Sequence, residues 1–291
     1  MANGYPENKG HKGIVYPSPI FGPIHSRRLG VSLGINLMPK DGKVCTFDCV
    51  YCECGFNKDH RPHAPRPTRQ EVAEALEAQL KKMKAEGPKP DVLTFAGNGE
   101  PTAHPDFAGI IDDTVRLRDA YFPNAKVSVL SNATLSMRPA VHEALLKVDN
   151  NILKLDTVSP DYIQRVDRPM GAYDVNEVIR SLSAFYGHVI VQSLFMKGMS
   201  EGQSVDNTTD AYVLPWLEAI KHINPRMVMV YTIDRETPDP DLRKATHEEL
   251  DHIADLVREA GFEVEVAPQF LMCGSRPNAW LMCICVVNVQ M

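Results

Sequence analysis

The sequence has no long hydrophobic run. Its longest, AWLMCICVV from Ala279 to Val287, falls well short of the ~20 apolar residues that a membrane-spanning helix needs. No membrane span is therefore expected. The opening stretch MANGYPENKGHKG has no apolar h-region, so it does not read as a secretory signal, and a cytoplasmic location is expected. Positive charge is also in short supply. A formal net charge of −6 argues against the broad basic surface on which nucleic-acid affinity rests, so extensive nucleic-acid binding is not favoured. Internal repeats, low-complexity tracts and linker-like breaks are missing too, which leaves one large domain as the simplest organisation for 291 residues. Apolar residues at 44% and charged residues at 23% are those of an ordinary globular chain, long enough to bury a sizeable core.

Cysteine is absent from residues 1–44, and then four cysteines crowd between Cys45 and Cys54; the other three are Cys273, Cys283 and Cys285. An odd total with this crowding suits metal ligation in a reducing compartment better than a disulfide framework.

Apolar, β-branched runs alternate with segments of helical period, the pattern of repeated βα units around a parallel sheet in an α/β protein. Six units are expected, with strands in VSLGINLMP from Val31, DVLTFAG from Asp91, KVSVLSN from Lys126, NILKLDTV from Asn151, HVIVQSLFM from His188 and MVMVYTI from Met227. FEVEV, from Phe262 to Val266, is a closing strand or an edge. Thr68 with Glu71 forms a capping box, after which Val72, Ala75, Leu76, Leu80 and Met83 recur at helical spacing. Thr246 and Glu249 repeat the device, and Gly261 stands where that helix ends. Weaker helices are expected near Phe107 to Tyr121, Pro139 to Val148, Asp174 to Tyr186 and Pro215 to Ile223. Residues 1–24 read as an arm, 25–268 as the core domain and 269–291 as a cysteine-containing tail.

The chemistry begins at CTFDCVYC, which carries Cys45, Cys49 and Cys52. Thiolates are the usual protein ligands of iron–sulfur clusters, and an ordinary 4Fe–4S centre takes four. This run offers three, with a first gap longer than that of the ferredoxin motif, so one iron stays open to a small ligand. The segment follows the first strand, at the carboxyl end where barrel enzymes keep their sites. A zinc knuckle is the alternative, but structural zinc takes four ligands, and a fourth has to be recruited from Cys54, Cys273, Cys283 or Cys285.

GNGEP, from Gly97 to Pro101, is a glycine-rich turn after the second strand, where backbone can approach a ligand and Glu100 can meet an ammonium group. Asn132 in SNAT and Gln192 with Ser193 are polar residues at later strand ends. Lys154 and Asp156 share a face because strand side chains alternate; a structural ion pair is their other reading. Arginines in RVDRP (Arg165 to Pro169) and TIDRETP (Thr232 to Pro238) suit carboxylate or phosphate, or else lie solvated. HSRR, His25 to Arg28, either caps the site or forms surface ion pairs.

Taken in register, CTFDCVYC resembles the CxxxCxxC signature of the radical S-adenosylmethionine (radical SAM) superfamily, with Tyr51 as the aromatic residue before the last cysteine. GNGEP resembles that family's GGE motif, with Asn98 where a second glycine usually stands. The resemblance implies a partial (β/α)6 TIM-like barrel with a parallel sheet, the radical SAM core. It implies a 4Fe–4S cluster on Cys45, Cys49 and Cys52, and S-adenosylmethionine contacted by Tyr51, Gly97, Asn98, Gly99, Glu100, Asn132, Asp156 and Gln192. The implied reaction is reductive cleavage of the sulfonium to methionine and a 5′-deoxyadenosyl radical that abstracts hydrogen, with a reductant such as flavodoxin or ferredoxin. A second iron–sulfur cluster on Cys273, Cys283 and Cys285 is a further expectation, with burial as small hydrophobes its alternative.

GNGEPT, LKLDT, RVDRP, FMKG and YTIDRETP together resemble the subgroup around tRNA wyosine synthase. That subgroup's additional N-terminal cysteines and a basic footprint are both missing, so a different or undetermined substrate is expected. A glycyl-radical-type activating enzyme acting on a protein is the second enzyme reading. An iron–sulfur electron-transfer or zinc-binding module is the reading outside enzymes.

Overall fold

The β-branched runs form strands and the capped segments form helices in a computed structural model that describes residues 13–26 and 30–266. In chain order the strands are β1 (Ile20–Ser26), β2 (Gly30–Ile35), β3 (Val92–Phe95), β4 (Lys126–Ser131), β5 (Asn150–Lys154), β6 (Ile190–Leu194), β7 (Met196–Ser200), β8 (Gln203–Ser204), β9 (Met227–Tyr231), β10 (Leu242–Lys244) and β11 (Val264–Val266). The helices are α1 (Arg69–Glu86), α2 (Phe107–Tyr121), α3 (Pro139–Leu145), α4 (Pro160–Val166), α5 (Val175–Ser183), α6 (Asp210–Ile223) and α7 (His247–Glu259). Both expected capping boxes form: the Thr68 and Thr246 amides donate to Glu71 and Glu249 at 2.6 and 2.7 Å.

The main sheet runs β1-β2-β3-β4-β5-β6-β9-β11, with β1 antiparallel to β2 and every later pair parallel. Helices follow β2, β3, β4, β5, β6 and β9, which makes six βα units with β11 as the last strand. The two edge strands do not pair with each other, so this mostly parallel sheet is the open wall of a partial TIM-like barrel. FEVEV therefore serves as the far edge. Strand β1 was not expected; it straddles residue 24, where the arm was expected to end, and its register breaks between Phe21 and Ile24.

Period-two alternation gives the sheet two different faces. Leu33, Phe95, Val129, Leu153, Val191 and Val230 lie in the main core with the helices. On the other face, Ser32 and Thr94 share a hydroxyl contact of 3.0 Å, and Ile152, Ile190 and Met229 form a separate apolar cluster. One step further toward the carboxyl ends, on that same face, stand the register partners Lys154 and Gln192. The inner face thus changes from apolar to polar as it reaches the strand ends. A small antiparallel sheet, β10-β7-β8, continues beyond the ends of β6 and β9. Beneath it, Met196 and Leu242 cluster with Val50 of the cysteine segment and Val166 of α4.

Ser193 points the other way. Its hydroxyl donates to the Leu155 carbonyl at 2.6 Å and meets Trp216 Nε1 at 3.0 Å, so this polar residue serves the core. Among the described residues no helix is long and apolar enough to cross a membrane. Arg27 and Arg28, the tail boundary at 268 and the cysteines Cys273, Cys283 and Cys285 lie outside the described residues.

Candidate active site

Between β2 and α1 runs a connection, residues 36–68, too long to hold a shape without tethers of its own. Two sets of backbone hydrogen bonds supply them. Val44 pairs with the GNGE turn: its amide donates to Asn98 at 2.9 Å, its carbonyl accepts from Glu100 at 3.1 Å, and Val44 and Gly99 form a parallel bridge. The stretch after it pairs with RVDRP: Met170 donates to Thr46 at 2.9 Å, Asp48 to Asp167 at 3.0 Å and Val50 to Val166 at 2.9 Å, with Phe47 bridged to Pro169. A third contact, from the Ile14 amide to the Glu53 carbonyl at 2.9 Å, joins the early segment. Cys45, Cys49 and Cys52 are therefore carried on a loop sewn to two other strand ends.

All four cysteines of this loop are free thiols, with Cys49 and Cys54 buried and Cys45 and Cys52 half-buried. Burial pushes the Cys45 thiol up to about 12, against the pull of Lys43. Burial also lifts Cys49 well above the usual thiol range, against Lys154. Cys52 moves the other way: a hydrogen bond from Cys54 draws it down to about 5, with burial opposing and Lys43 assisting. Lys43 itself is buried, donates to the Gly55 carbonyl at 2.6 Å and lies 3.7 Å from Asp48. Burial works against its charge, but Cys52, Cys45 and Cys49 outweigh that and hold it protonated.

Among the described residues no three His, Cys, Asp or Glu side chains stand at metal-holding geometry. The chemistry of the donor set nevertheless fits a thiolate-ligated cluster. Of the four free thiols on this loop, Cys45 and Cys52 are acted on by the buried Lys43 ammonium and Cys49 by the half-buried Lys154. A coordinating metal deprotonates such thiols outright, and the lysines then offset the negative charge.

The GNGE turn presses against this loop. Gly97 and Gly99 both have φ of +132°, and Gly99 lies so close to Val44 that a Cβ there would sit 1.9 Å from the Val44 oxygen. Asn98, expected beside the cofactor, is placed as scaffold. Its side chain accepts from the Tyr16 amide at 2.7 Å and donates to the Tyr16 and Pro39 carbonyls at 2.9 and 3.0 Å, while its own amide donates to Asn36 at 3.2 Å. Asn98→Ala is expected to cost about 1–3 kcal/mol of stability, because buried partners lose their hydrogen bonds. Urea denaturation of the two proteins checks it; an unchanged midpoint would show that the Tyr16 segment does not depend on this residue.

Glu100 is buried and anchored through both carboxylate oxygens. One carboxylate oxygen accepts from the Thr102 amide at 3.0 Å, the Thr102 hydroxyl at 2.5 Å and Ser131 at 2.8 Å; the other accepts from the Asn132 amide at 2.7 Å. Burial raises its pKa, and these hydrogen bonds hold the rise in check. Asn132 carries the chain of contacts onward, donating to Thr46 Oγ1 at 2.8 Å and to Cys45 Sγ at 3.6 Å.

Tyr51 and Asp156, each expected as a cofactor contact, meet through a 2.6 Å hydrogen bond from the phenol. Lys154 contacts both, and Asp156 also accepts from the Leu194 amide at 3.0 Å. Asp167 completes the group, 2.8 Å from Lys154 and accepting from Cys49 Sγ at 3.7 Å. Burial lifts the Asp167 carboxyl to about 6, against Lys154. The sequence pattern points to the arginines of RVDRP and carries no local signal for the aspartate between them. Those arginines do not form a joint anion clamp: Arg168 pairs with Glu201 at 2.9 Å, and Arg165 reaches Tyr212 at 3.5 Å. Arg235 of TIDRETP lies 3.4 Å from Glu53 and ties that loop to the cysteine segment. Gln192 stands half-exposed beside Lys154 on the inner face. A cavity of about 330 Å³, lined by Cys45, Lys43, Asn57, Lys58, Arg61 and Met170 among others, opens next to the loop.

Known proteins resemble this chain in sequence and in fold. The family model of the Radical SAM superfamily matches residues 40–202, from just before Lys43 to the turn after β7. The UPF0026 protein of Helicobacter pylori (strain ATCC 700392 / 26695) is 30% identical over 223 residues, 75% of this chain and 67% of that protein. Its counterpart from strain J99 is 31% identical over 74% of the chain and 66% of its own length, so the chain spans about two thirds of these curated relatives. Among solved structures, a radical SAM methyltransferase from Sphaerobacter thermophilus superposes with a TM-score of 0.57 at 14% identity, over 81% of this chain and 65% of that one. Streptococcus suis SuiB bound to S-adenosylmethionine superposes at 0.56 and 16% identity, over 80% and 50%.

Proposed function

The chain belongs to the radical SAM superfamily and is an enzyme, and from that premise we propose that it cleaves S-adenosylmethionine reductively, using the resulting radical to take a hydrogen atom from its substrate. Cys45, Cys49 and Cys52 would hold a 4Fe–4S cluster, which when bound supplies the one electron that converts S-adenosylmethionine to methionine and a 5′-deoxyadenosyl radical. A small iron–sulfur or flavin protein such as ferredoxin or flavodoxin fits as the electron donor, in a reducing compartment that keeps the thiols free.

The observation that carries this reading is the direct pairing of the cysteine loop with the GNGE turn, Val44 against Asn98, Gly99 and Glu100. Gly97 and Gly99, packed on Asn36 and Val44 on one side, stay partly exposed on the other, where a methionine-type ligand can approach both turn and loop. Glu100 brings negative charge within reach of an ammonium group and is held in place by four hydrogen bonds. Asn132 fixes the position of Cys45, and Tyr51 with Asp156 fixes the other end of the loop. Gln192, half-exposed on the inner face, is available to a ribose or a substrate.

The test is anaerobic reconstitution with iron and sulfide, then dithionite and S-adenosylmethionine. A brown protein that yields methionine and 5′-deoxyadenosine in equal amounts is expected. A colourless protein that holds zinc and gives no product would overturn the proposal.

A further inference from the structure

Asp167 lies within RVDRP, outside both the cysteine run and the GNGE turn, yet it joins three parts of the site. It follows α4 directly and is 2% exposed. Its backbone carbonyl accepts from Asp48, and the carbonyl before it accepts from Val50, so hydrogen bonds on both sides of Cys49 end on this two-residue stretch. Its carboxylate accepts from the Cys49 thiol at 3.7 Å and from Tyr51 at 3.4 Å, and lies 2.8 Å from the Lys154 ammonium. Cys45 and Cys52 are held elsewhere, Cys45 next to the GNGE pairing and Cys52 by a turn whose amide donates to Cys49 at 3.1 Å. The attachment of Cys49 is the one that RVDRP provides.

We propose that Asp167 and Lys154 form a positioning pair for the cluster: they fix Cys49 before iron arrives and set the charge beside it once the cluster is bound. The inference rests on the proposed function, since it concerns the cluster assigned there. A ligated Cys49 is a thiolate and no longer donates a proton to Asp167. Lys154, whose charge acts on Cys49 and which touches Asp156 and Asp167, then stands as the counter-charge to two carboxylates and a sulfur. Such a charge is worth far more in a buried site than in water. Iron–sulfur reduction potentials follow net charge, hydrogen bonding to sulfur and burial, so both side chains are placed to tune the potential.

Two substitutions test this through opposite effects. Asp167→Asn removes a negative charge with little change of shape and is expected to move the cluster midpoint to more positive potential. Lys154→Gln removes the positive charge and is expected to move it to more negative potential. Midpoints are read by redox titration monitored by electron paramagnetic resonance, with iron content measured on the same samples. A purely structural role gives no reason for opposite signs; two midpoints equal to wild type, or displaced in the same direction, would overturn the inference. The apo-protein gives a second, metal-free readout. In Asp167→Leu the amides of Asp48 and Val50 are expected to lose hydrogen-exchange protection while those of the β4 core keep theirs, and unchanged protection there counts against the positioning role. A wild-type protein that takes up no cluster refutes the functional reading instead, so the two failures are told apart.

Discussion

Alanine at Cys45, Cys49 or Cys52 is expected to abolish cluster uptake and 5′-deoxyadenosine formation, each singly, whereas alanine at Cys54 is expected to leave both in place. All four lie within ten residues, and the CxxxCxxC spacing takes in Cys45, Cys49 and Cys52 but not Cys54. Their surroundings bear on the same division. Cys54 donates to the Gly97 carbonyl at 3.5 Å and packs with Tyr16 and Phe21 in a small apolar cluster, on the side where the early segment covers the loop. Buried cysteine in such a place behaves as a small hydrophobe. Cys45 and Cys49 meet polar or charged partners, Asn132 and Asp167, while Cys52 borders that same apolar cluster and takes a hydrogen bond from Cys54, with Lys43 assisting. Iron per chain, the visible absorbance of the reconstituted protein and chromatography of the products decide the matter. The discriminating variant is Cys54→Ala. If it loses the cluster, four thiolates close the site, no iron is left for S-adenosylmethionine, and the proposed chemistry falls.

The same contrast shows what was legible in the sequence. Strand runs such as KVSVLS and MVMVY declare themselves because each must be apolar on a face covered by helices, and the thiols and glycines declare themselves by residue type. Strand β1 does not, because IFGPIHS carries Gly22 and Pro23 at the point where its register shifts, and this breaks the alternation. Helix α4 has only a short signal, Ser159 ahead of Pro160, with the serine side chain accepting from the Tyr162 amide at 3.4 Å. Strands β7, β8 and β10 are too short and too polar to stand out from loop. Within the site, Tyr51 and Asp156 were found as types and the structure joins them. Asp167 was not, because its meaning depends on pairing with a loop 118 positions away in the chain, which no local pattern reports. Asn98 shows the converse. Its place in a glycine turn suggests a ligand contact, while its hydrogen bonds are those of a brace for Tyr16 and Pro39.

Gly99→Ala is expected to be the most damaging single substitution outside the cysteines, because it strikes the junction that holds the loop to the turn. A Cβ at Gly99 would lie 1.9 Å from the Val44 oxygen, 2.5 Å from its carbonyl carbon and 3.1 Å from the Cys45 nitrogen. These are backbone atoms, so no rotamer change relieves the clash; the Val44–Cys45 peptide has to move. That breaks the hydrogen bonds from Val44 to Asn98 and from Glu100 to Val44, and carries Cys45 away from Asn132. The backbone angle of +132° adds strain for any residue with a side chain, of order 1–3 kcal/mol. With two hydrogen bonds of about 1 kcal/mol each also lost, the total is expected to fall on the order of 3–5 kcal/mol. Gly202→Ala isolates the backbone term: φ there is +76° and nothing lies within 4 Å, so about 1–2 kcal/mol is expected, with full iron uptake. Gly97→Ala falls between them, since its Cβ would meet the Asn36 side chain at 2.7 Å, and Asn36 is itself anchored to Met38, Tyr16 and Pro17. Urea denaturation and iron content across the three variants give the order. Equal losses in Gly99→Ala and Gly202→Ala, both with full iron, would mean that the loop keeps its shape without the turn. The close approach of Gly99 to Val44 would then not be the joint on which the site depends.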